Sequence, residues 1–325
     1  VTLASDPVVL ALDIGGTKIA GALVTRTGRC TAMASVPTPA RDGAGAILDA
    51  AAQLAGTLRA SEEGNRVRGV GLAAAGVVDP TTGVVVSATD HLAGWAGTDL
   101  IEGIASRLES PGLPVRVQND AQAHAAGEAW LGAAAGVSTA LVVAVGTGIG
   151  GAVTVDGEVL TGRHGAAGHL GHLAVPAAAG LPCACGGTGH VEALASGVGL
   201  AQLHARLSGA SGRSHNVAGP GVTPLDGRQV ATLAATGDPV ALEAVRMAGA
   251  ALGVAVGGVS NVVAPDVVVI AGSLTGAGEP WWTALRSAVA GELIPALAGI
   301  DVVAAELGDR AALVGAARRV WQGLD

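Results

Sequence analysis

VVLALDIGGTKIAGALV, residues 8–24, sets two apolar runs on either side of a short polar turn. Val8–Leu12 reads as a strand ending at Asp13, and Ile19–Val24 as the strand that follows it. Between them, Gly15 and Gly16 allow the backbone to approach a phosphate and turn N–H groups toward it, while Thr17 adds a hydroxyl donor. Asp13, at a strand end, is placed to hold Mg²⁺ through water. The spacing is not the eight-residue Walker pattern, and no dinucleotide fingerprint follows the strand. A plain hairpin turn explains the glycines about as well, but it leaves Asp13 and Lys18 without a role.

The same theme returns at Leu141–Val145, where an apolar run meets Gly146-Thr147-Gly148-Ile149-Gly150-Gly151 and a further apolar run. Asp156-Gly157 then predicts a hairpin turn before Glu158-Val159-Leu160. Two strand–glycine turn–strand units point to duplicated α/β domains gripping a nucleoside triphosphate from both sides. Between the units, Ala46–Arg59 has amphipathic helical spacing, Val67–Ala75 reads as a strand, and residues 81–100 as a turn, a strand and a polar loop containing Trp95. Val115–Val117 is a strand that delivers Gln118-Asn119-Asp120 at its carboxyl end, and Ala121–Leu131 is helical. Open α/β sheets place ligand groups at such a junction; the alternative is a helix cap by Asn119 or Asp120. Farther on, Val240–Val263 reads as one or two long buried helices, and Val267–Ile270 as a strand ending at Ala271-Gly272-Ser273, where adenine and ribose can lie against backbone. Asp301–Glu306 is a last strand-like segment and Ala311–Gln322 a closing helix.

The stretch HGAAGHLGHLAVPAAAGLPCACGGTGHVE, residues 164–192, holds four of the eight histidines and two of the three cysteines. His172, Cys183, Cys185 and His190 supply four ligands suited to tetrahedral zinc, and four protein ligands close the coordination sphere of a structural site. The alternative is two buried cysteines among loop histidines. His169 and Glu192 remain over, flanking the knot, where it could point them into a polar site.

Half of the residues are apolar, 14% are charged and only 2% aromatic, with no Phe and no Tyr, so Val, Leu, Ile and Ala must pack the cores. A net charge of −8 without a Lys/Arg run argues against nucleic acid. The nearest approach to a membrane span, Met247–Ala264, contains four glycines, Ser260 and Asn261, and is expected to be a buried helix. The N-terminus runs into a strand without a visible signal peptide, and three cysteines fit a reducing compartment, so a cytoplasmic protein is expected.

Taken together, Asp13-Ile-Gly-Gly-Thr-Lys18, Asn119-Asp120, Gly146-Thr-Gly-Ile-Gly-Gly151, Gly171-His172, Cys183-x-Cys185-Gly-x-x-Gly, Glu192 and Gly308-Asp309 resemble the ROK family of sugar kinases nearly end to end. The resemblance implies two ribonuclease-H-like domains of the actin-like ATPase type with a cleft between them. A smaller domain would span residues 1–118 plus 309–325, and a larger one, 119–308, would carry the zinc. It implies Asp120 as catalytic base toward a sugar 6-hydroxyl, with Asn119, His172 and Glu192 bonding the sugar and His172 also on zinc. Asp13, Gly15, Gly16, Thr17, Lys18, Gly146, Thr147, Gly148, Gly150, Gly272 and Ser273 would serve ATP and its phosphates.

Three departures from the family matter. His190 stands where the last zinc ligand is usually Cys; His169 replaces a Glu that bonds the sugar and so becomes a candidate substrate residue of different chemistry. Ala74-Ala75-Gly76 stands where Pro-Gly is common, and Asp90-His91 in a loop that often carries Asn-Leu. The expected activity is phosphorylation of the 6-hydroxyl of a glucose-like hexose or N-acyl hexosamine, with ATP, Mg²⁺ and structural Zn²⁺. A homodimer or homotetramer is expected. The competing readings are a sugar-responsive regulator, which would carry an N-terminal winged helix, and a sugar-binding pseudo-kinase.

Overall fold

The computed structural model describes residues 6–61, 63–89, 91–108, 112–209 and 225–324. By its internal contacts the chain divides into two compact units. One comprises residues up to Ser138, Ala152–Gly168 and the chain from Ala305; the other comprises Thr139–Gly151 and His169–Ala304. The first unit therefore includes residues 119–138, which the sequence reading assigned to the larger domain.

The first unit is built on β1 (Val8–Ile14), β2 (Lys18–Thr25), β3 (Cys30–Pro37), the helix α1 (Gly43–Arg59) and β4 (Val67–Ala74). Next come the short ribbon β5 (Val77–Val78) and β6 (Val85–Ser87), α2 (Leu100–Ala105), β7 (Val115–Asn119) and α3 (Asp120–Leu131). Its sheet runs β3–β2–β1–β4–β7, antiparallel through β1 and parallel from β1 to β7. The central strand is buried on both faces, which is why VVLALDI is apolar almost without alternation. Val8, Leu10, Leu12 and Ile14 face the core beneath α1 (Ile47, Leu54, Leu58). Val9 and Ala11 face the opposite layer, with Leu313, Ala316 and Val320 of the closing helix. Gly71 of β4 lets that helix approach so closely that any Cβ would strike the Ala316 carbonyl.

Trp95 corrects the expected polar loop: it is 1% exposed, and its Nε1 donates to Ala75 O at 2.9 Å. In a chain without Phe or Tyr, an indole brought in by a loop fills core volume that the strands cannot. The edge strand β3 was not anticipated. CTAMASVP has small side chains and exposes one face, leaving a weak periodic signal.

The chain continues with β8 (Thr139–Val145), β9 (Ile149–Val155) and β10 (Glu158–Val159). The turn at Asp156 (φ 50°) and Gly157 (φ 78°) has the two positive φ angles that the Asp-Gly pair implies. The helices α4 (Glu192–Ala195), α5 (Gly197–Leu207), α6 (Gly227–Ala235) and α7 (Pro239–Val263) follow. Then come β11 (Val267–Ala271), α8 (Glu279–Glu292), β12 (Asp301–Ala304) and α9 (Ala311–Gln322). The second sheet runs β10–β9–β8–β11–β12, and the division between units falls within β9. Its ladder repeats the first: antiparallel at β9–β10, parallel from β8 through β11 to β12. The long apolar segment is one helix, α7, with 61% of its most apolar window buried. Gly249 and Gly253 bring it against the backbone of α8 at Trp281 and Leu285.

Candidate functional site

In the first unit, the turn between β1 and β2 closes with Gly15 N donating to Lys18 O at 3.1 Å. Thr38 braces it, donating its hydroxyl to Gly15 O (2.7 Å) and its N–H to Thr17 O (3.0 Å). Gly16, Thr17 and Lys18 are left exposed, as a phosphate cradle requires. Lys18 Nζ donates to Asp309 Oδ2 at 2.8 Å, and this pair keeps the Asp309 carboxyl below its ordinary range.

Asp13 sits only partly exposed at the end of β1, and its pKa is raised to about 7. Burial is the largest cause; the charge of Asp120, opposed by Lys18, comes next, and Asp309 adds to the rise. A carboxylate raised this far by burial and like charges gains from a positive charge beyond that of Lys18. A hard cation bound by oxygen meets that need.

Asp120 opens α3. Asn119 caps the helix by accepting from Gln122 N (3.1 Å). Its two amide hydrogens go to Gly76 O and to Asp120 Oδ1, both at 2.8 Å. Ala121 N also donates to Asp120 Oδ1 (2.8 Å). Burial nevertheless pushes the Asp120 carboxyl above its usual range, outweighing these bonds. The structure thus bears out the cap reading for Asn119, and the same cap residue orients the acid beside it. Gln122 was not anticipated; it is fully buried, and its Nε2 donates to Gly165 O (2.9 Å) and Ala167 O (3.2 Å). The Asp79–His164 contact (3.2 Å) was likewise missed. Asp90 lies outside the described residues.

In the second unit, the turn Gly146–Gly151 closes with Gly146 N donating to Gly148 O (2.9 Å). Its Gly146 carbonyl accepts from Gly197 N (2.8 Å) at the start of α5. Glu192 Oε2 accepts from Ile149 N at 2.7 Å, so a Cβ on Gly148 would meet that carboxylate at 2.6 Å. Gly272, at φ 91°, lies against the Val145 carbonyl just before the turn; Ser273 beside it is exposed. The structure therefore brings Gly146, Thr147, Gly148, Gly150, Gly272 and Ser273 to neighbouring strand ends.

His172, Cys183, Cys185 and His190 come together with one ligand atom from each, all within 4.8 Å of one another. Cys183 Sγ lies 3.7 Å from His172 Nδ1, and Cys185 Sγ lies 3.2 Å from His190 Nδ1. Zinc bonds to sulfur and nitrogen at tetrahedral angles set an S···N edge of about 3.6 Å, so the cluster fits such a metal. Gly187 is required here because a Cβ would strike the His190 ring at 2.6 Å. The knot rests on the glycine turn: Gly171 abuts Ile149 O, and Glu192 reaches from Ile149 N to within 3.8 Å of Cys183 Sγ. His169 stacks on His172 with centroids 6.2 Å apart, and its Nε2 is buried without a partner. Burial, then the neighbouring His172, lowers its pKa; Glu192 opposes them.

Two sheets of like topology, each with a glycine turn at a strand end, define a protein of the actin-like ATPase fold. The ROK family model matches residues 9–322, and the chain belongs to that family. A glucokinase of Halalkalibacterium halodurans is 31% identical over 96% of this chain and 94% of its own. An N-acetylmannosamine kinase of Escherichia coli is 32% identical over 95% of this chain and 96% of its own. Among solved structures, a ROK family glucokinase from Streptomyces griseus in complex with glucose and AMPPNP superposes with a TM-score of 0.81 at 31% identity, covering 97% of this chain and all of that one.

Proposed function

We propose that this chain is an ATP-dependent sugar kinase that phosphorylates the 6-hydroxyl of a hexose, either glucose-like or an N-acyl hexosamine. The observation that carries the reading is Asp120. Two hydrogen bonds fix its Oδ1 at the first turn of α3, in electrostatic range of Asp13, within a chain whose relatives are named as sugar kinases. Those bonds leave Oδ2 to take the proton of the attacking hydroxyl. The sugar oxygen then bonds the γ-phosphorus, the bond to the β–γ bridging oxygen breaks, and ADP leaves. Phosphoryl transfer asks a protein for positioning and charge neutralisation more than for covalent chemistry.

Mg²⁺, when bound with the nucleotide, neutralises phosphate charge, and Asp13 is the residue that would hold it, through water. Gly15, Gly16, Thr17 and Lys18 on one turn, and Gly146, Thr147, Gly148 and Gly150 on the other, supply backbone and side-chain donors for phosphates. Gly272 and Ser273 line the nucleoside end. His172, Cys183, Cys185 and His190 would hold one structural zinc. With its Nδ1 toward the metal, His172 keeps Nε2 for a sugar hydroxyl, and Glu192 and His169 flank it. Asn119 spends both amide hydrogens on the protein, so a sugar hydroxyl can only donate to it.

ADP release measured over a panel of glucose, mannose, N-acetylglucosamine and N-acetylmannosamine tests the proposal, with the position of the new phosphate read by NMR. Sugar-dependent ADP release with phosphate on O6 is expected. Sugar binding without ADP release would instead support the pseudo-kinase or regulator.

A further inference from the structure

Glu128, on α3, is fully buried, and the chemistry above gives it no role. Its carboxylate accepts three backbone N–H groups: Ala133 (2.9 Å) and Glu306 (3.1 Å) on Oε2, and Leu307 (2.9 Å) on Oε1. A buried carboxylate is tolerated when its oxygens are hydrogen-bonded in this way. Ala133 merely follows α3, but Glu306 and Leu307 belong to the strap between β12 and α9. One side chain therefore staples that strap to the helix that begins at Asp120. The strap runs on into Gly308 and Asp309, and Asp309 holds Lys18 of the phosphate turn. Its far end is fixed too: α9 meets α3 where Gly127 abuts Ala311 O and Gly315 abuts Ala123 O, with no room for a Cβ at either glycine.

The Lys18–Asp309 pair cannot fix itself. Its side chains are 55% and 85% exposed, and exposed pairs are weak and screened by salt. The lysine stem is flexible, so its direction depends on a partner with a fixed backbone. The buried staple supplies that fixed backbone.

We propose that Glu128 is a positioning residue for Lys18: by clamping Glu306 and Leu307 to α3 it sets where Asp309 holds the phosphate-binding ammonium. This rests on the kinase reading above. Glu128→Gln keeps the shape and one acceptor, but turns an NH₂ toward one strap amide. The expected result is a rise of about tenfold in KM for ATP, with KM for the sugar within about twofold. Hydrogen exchange at the Leu307 amide should accelerate at the same time. In a Lys18→Met background the same substitution should change KM for ATP no further, since both act through one ammonium. A merely structural carboxylate would shift both KM values alike, or would add to Lys18→Met; either result overturns the inference.

Should Glu128→Gln fail to fold, Leu307→Pro removes a donor from the surface strap instead. Leu307 has φ −82°, close to the proline range. The same split between the two KM values is then required. The unmodified chain is titrated with a non-hydrolysable ATP analogue alongside. No binding there overturns the kinase reading and this inference with it, whereas binding with an unchanged variant overturns this inference alone.

Discussion

Asp120→Asn should abolish most turnover and yet make the protein more stable at alkaline pH. The substitution keeps the side-chain shape and an oxygen for Asn119 Nδ2 and Ala121 N. Losing the base should cost about 10²–10⁴-fold in rate, or about 3–5 kcal/mol of transition-state stabilisation. The stability effect follows from Asp13. Its folded pKa, about 7, lies above the ordinary 3.8, so the folded state holds a proton that the unfolded chain releases. That contribution is fully present below about pH 4 and is lost as pH rises through 7. A shift of this size is worth on the order of 4 kcal/mol at pH 8. Asp120, raised by its own burial, acts in the same direction. Removing its charge eliminates one buried carboxylate and lowers the pKa of Asp13, though not to 3.8, because burial, the larger cause, remains. Urea unfolding without Mg²⁺ at pH 5 and pH 8, beside ADP release, reads both effects. The variant should gain more stability at pH 8 than at pH 5. Turnover within a few-fold of the parent, or a loss of stability at pH 8, would refute the reasoning.

Metal analysis of protein purified without added zinc should find one zinc per chain, and Cys185→Ser should lose it. Active, folded protein without zinc would remove the structural assignment. His169→Glu should shift the ratio of specificity constants toward glucose by roughly tenfold to a hundredfold, the worth of one charged hydrogen bond; an unchanged ratio would place His169 outside sugar recognition. His124, on α3, is pushed below its ordinary 6.5 mainly by burial, against the charges of Glu128 and Asp309; its Nε2 makes no hydrogen bond and lies 3.9 Å from Glu128 Oε1. The unfolded chain therefore takes up a proton first, and the contribution of this histidine to stability falls as pH drops below 6.5, opposing the gain from Asp13. His124→Leu should remove that contribution, so its urea midpoint relative to the parent should rise as pH falls from 7.5 to 5.5; an unchanged difference would show that His124 is not responsible.

The sequence by itself determined the parts whose physics is local. An apolar run followed by glycines specifies strand and turn within a dozen or so residues, and this holds at both 8–24 and 141–155, although only the first strand ends in an Asp. Asn119-Asp120 was legible because a strand ending in a capping residue places the next side chain at the sheet's carboxyl edge. The convergence of His172, Cys183, Cys185 and His190 was legible because they fall within one short stretch, so few arrangements of the backbone can keep them apart. Tertiary structure alone decided what depends on distance between remote residues. Lys18 and Asp309 meet across 291 positions, and Glu128 reaches Leu307 across 179. Neither pairing leaves a periodic trace. The raised pKa of Asp13 likewise needs the burial and the charges of Asp120 and Asp309, none of which its neighbours in sequence reveal. Trp95 lay in a segment that reads as polar, and only the packed core shows it filling the space where an aromatic-poor chain lacks volume. Sequence spacing fixes direction along a strand or helix, but burial and electrostatic coupling depend on separations in space, which only the closed fold sets.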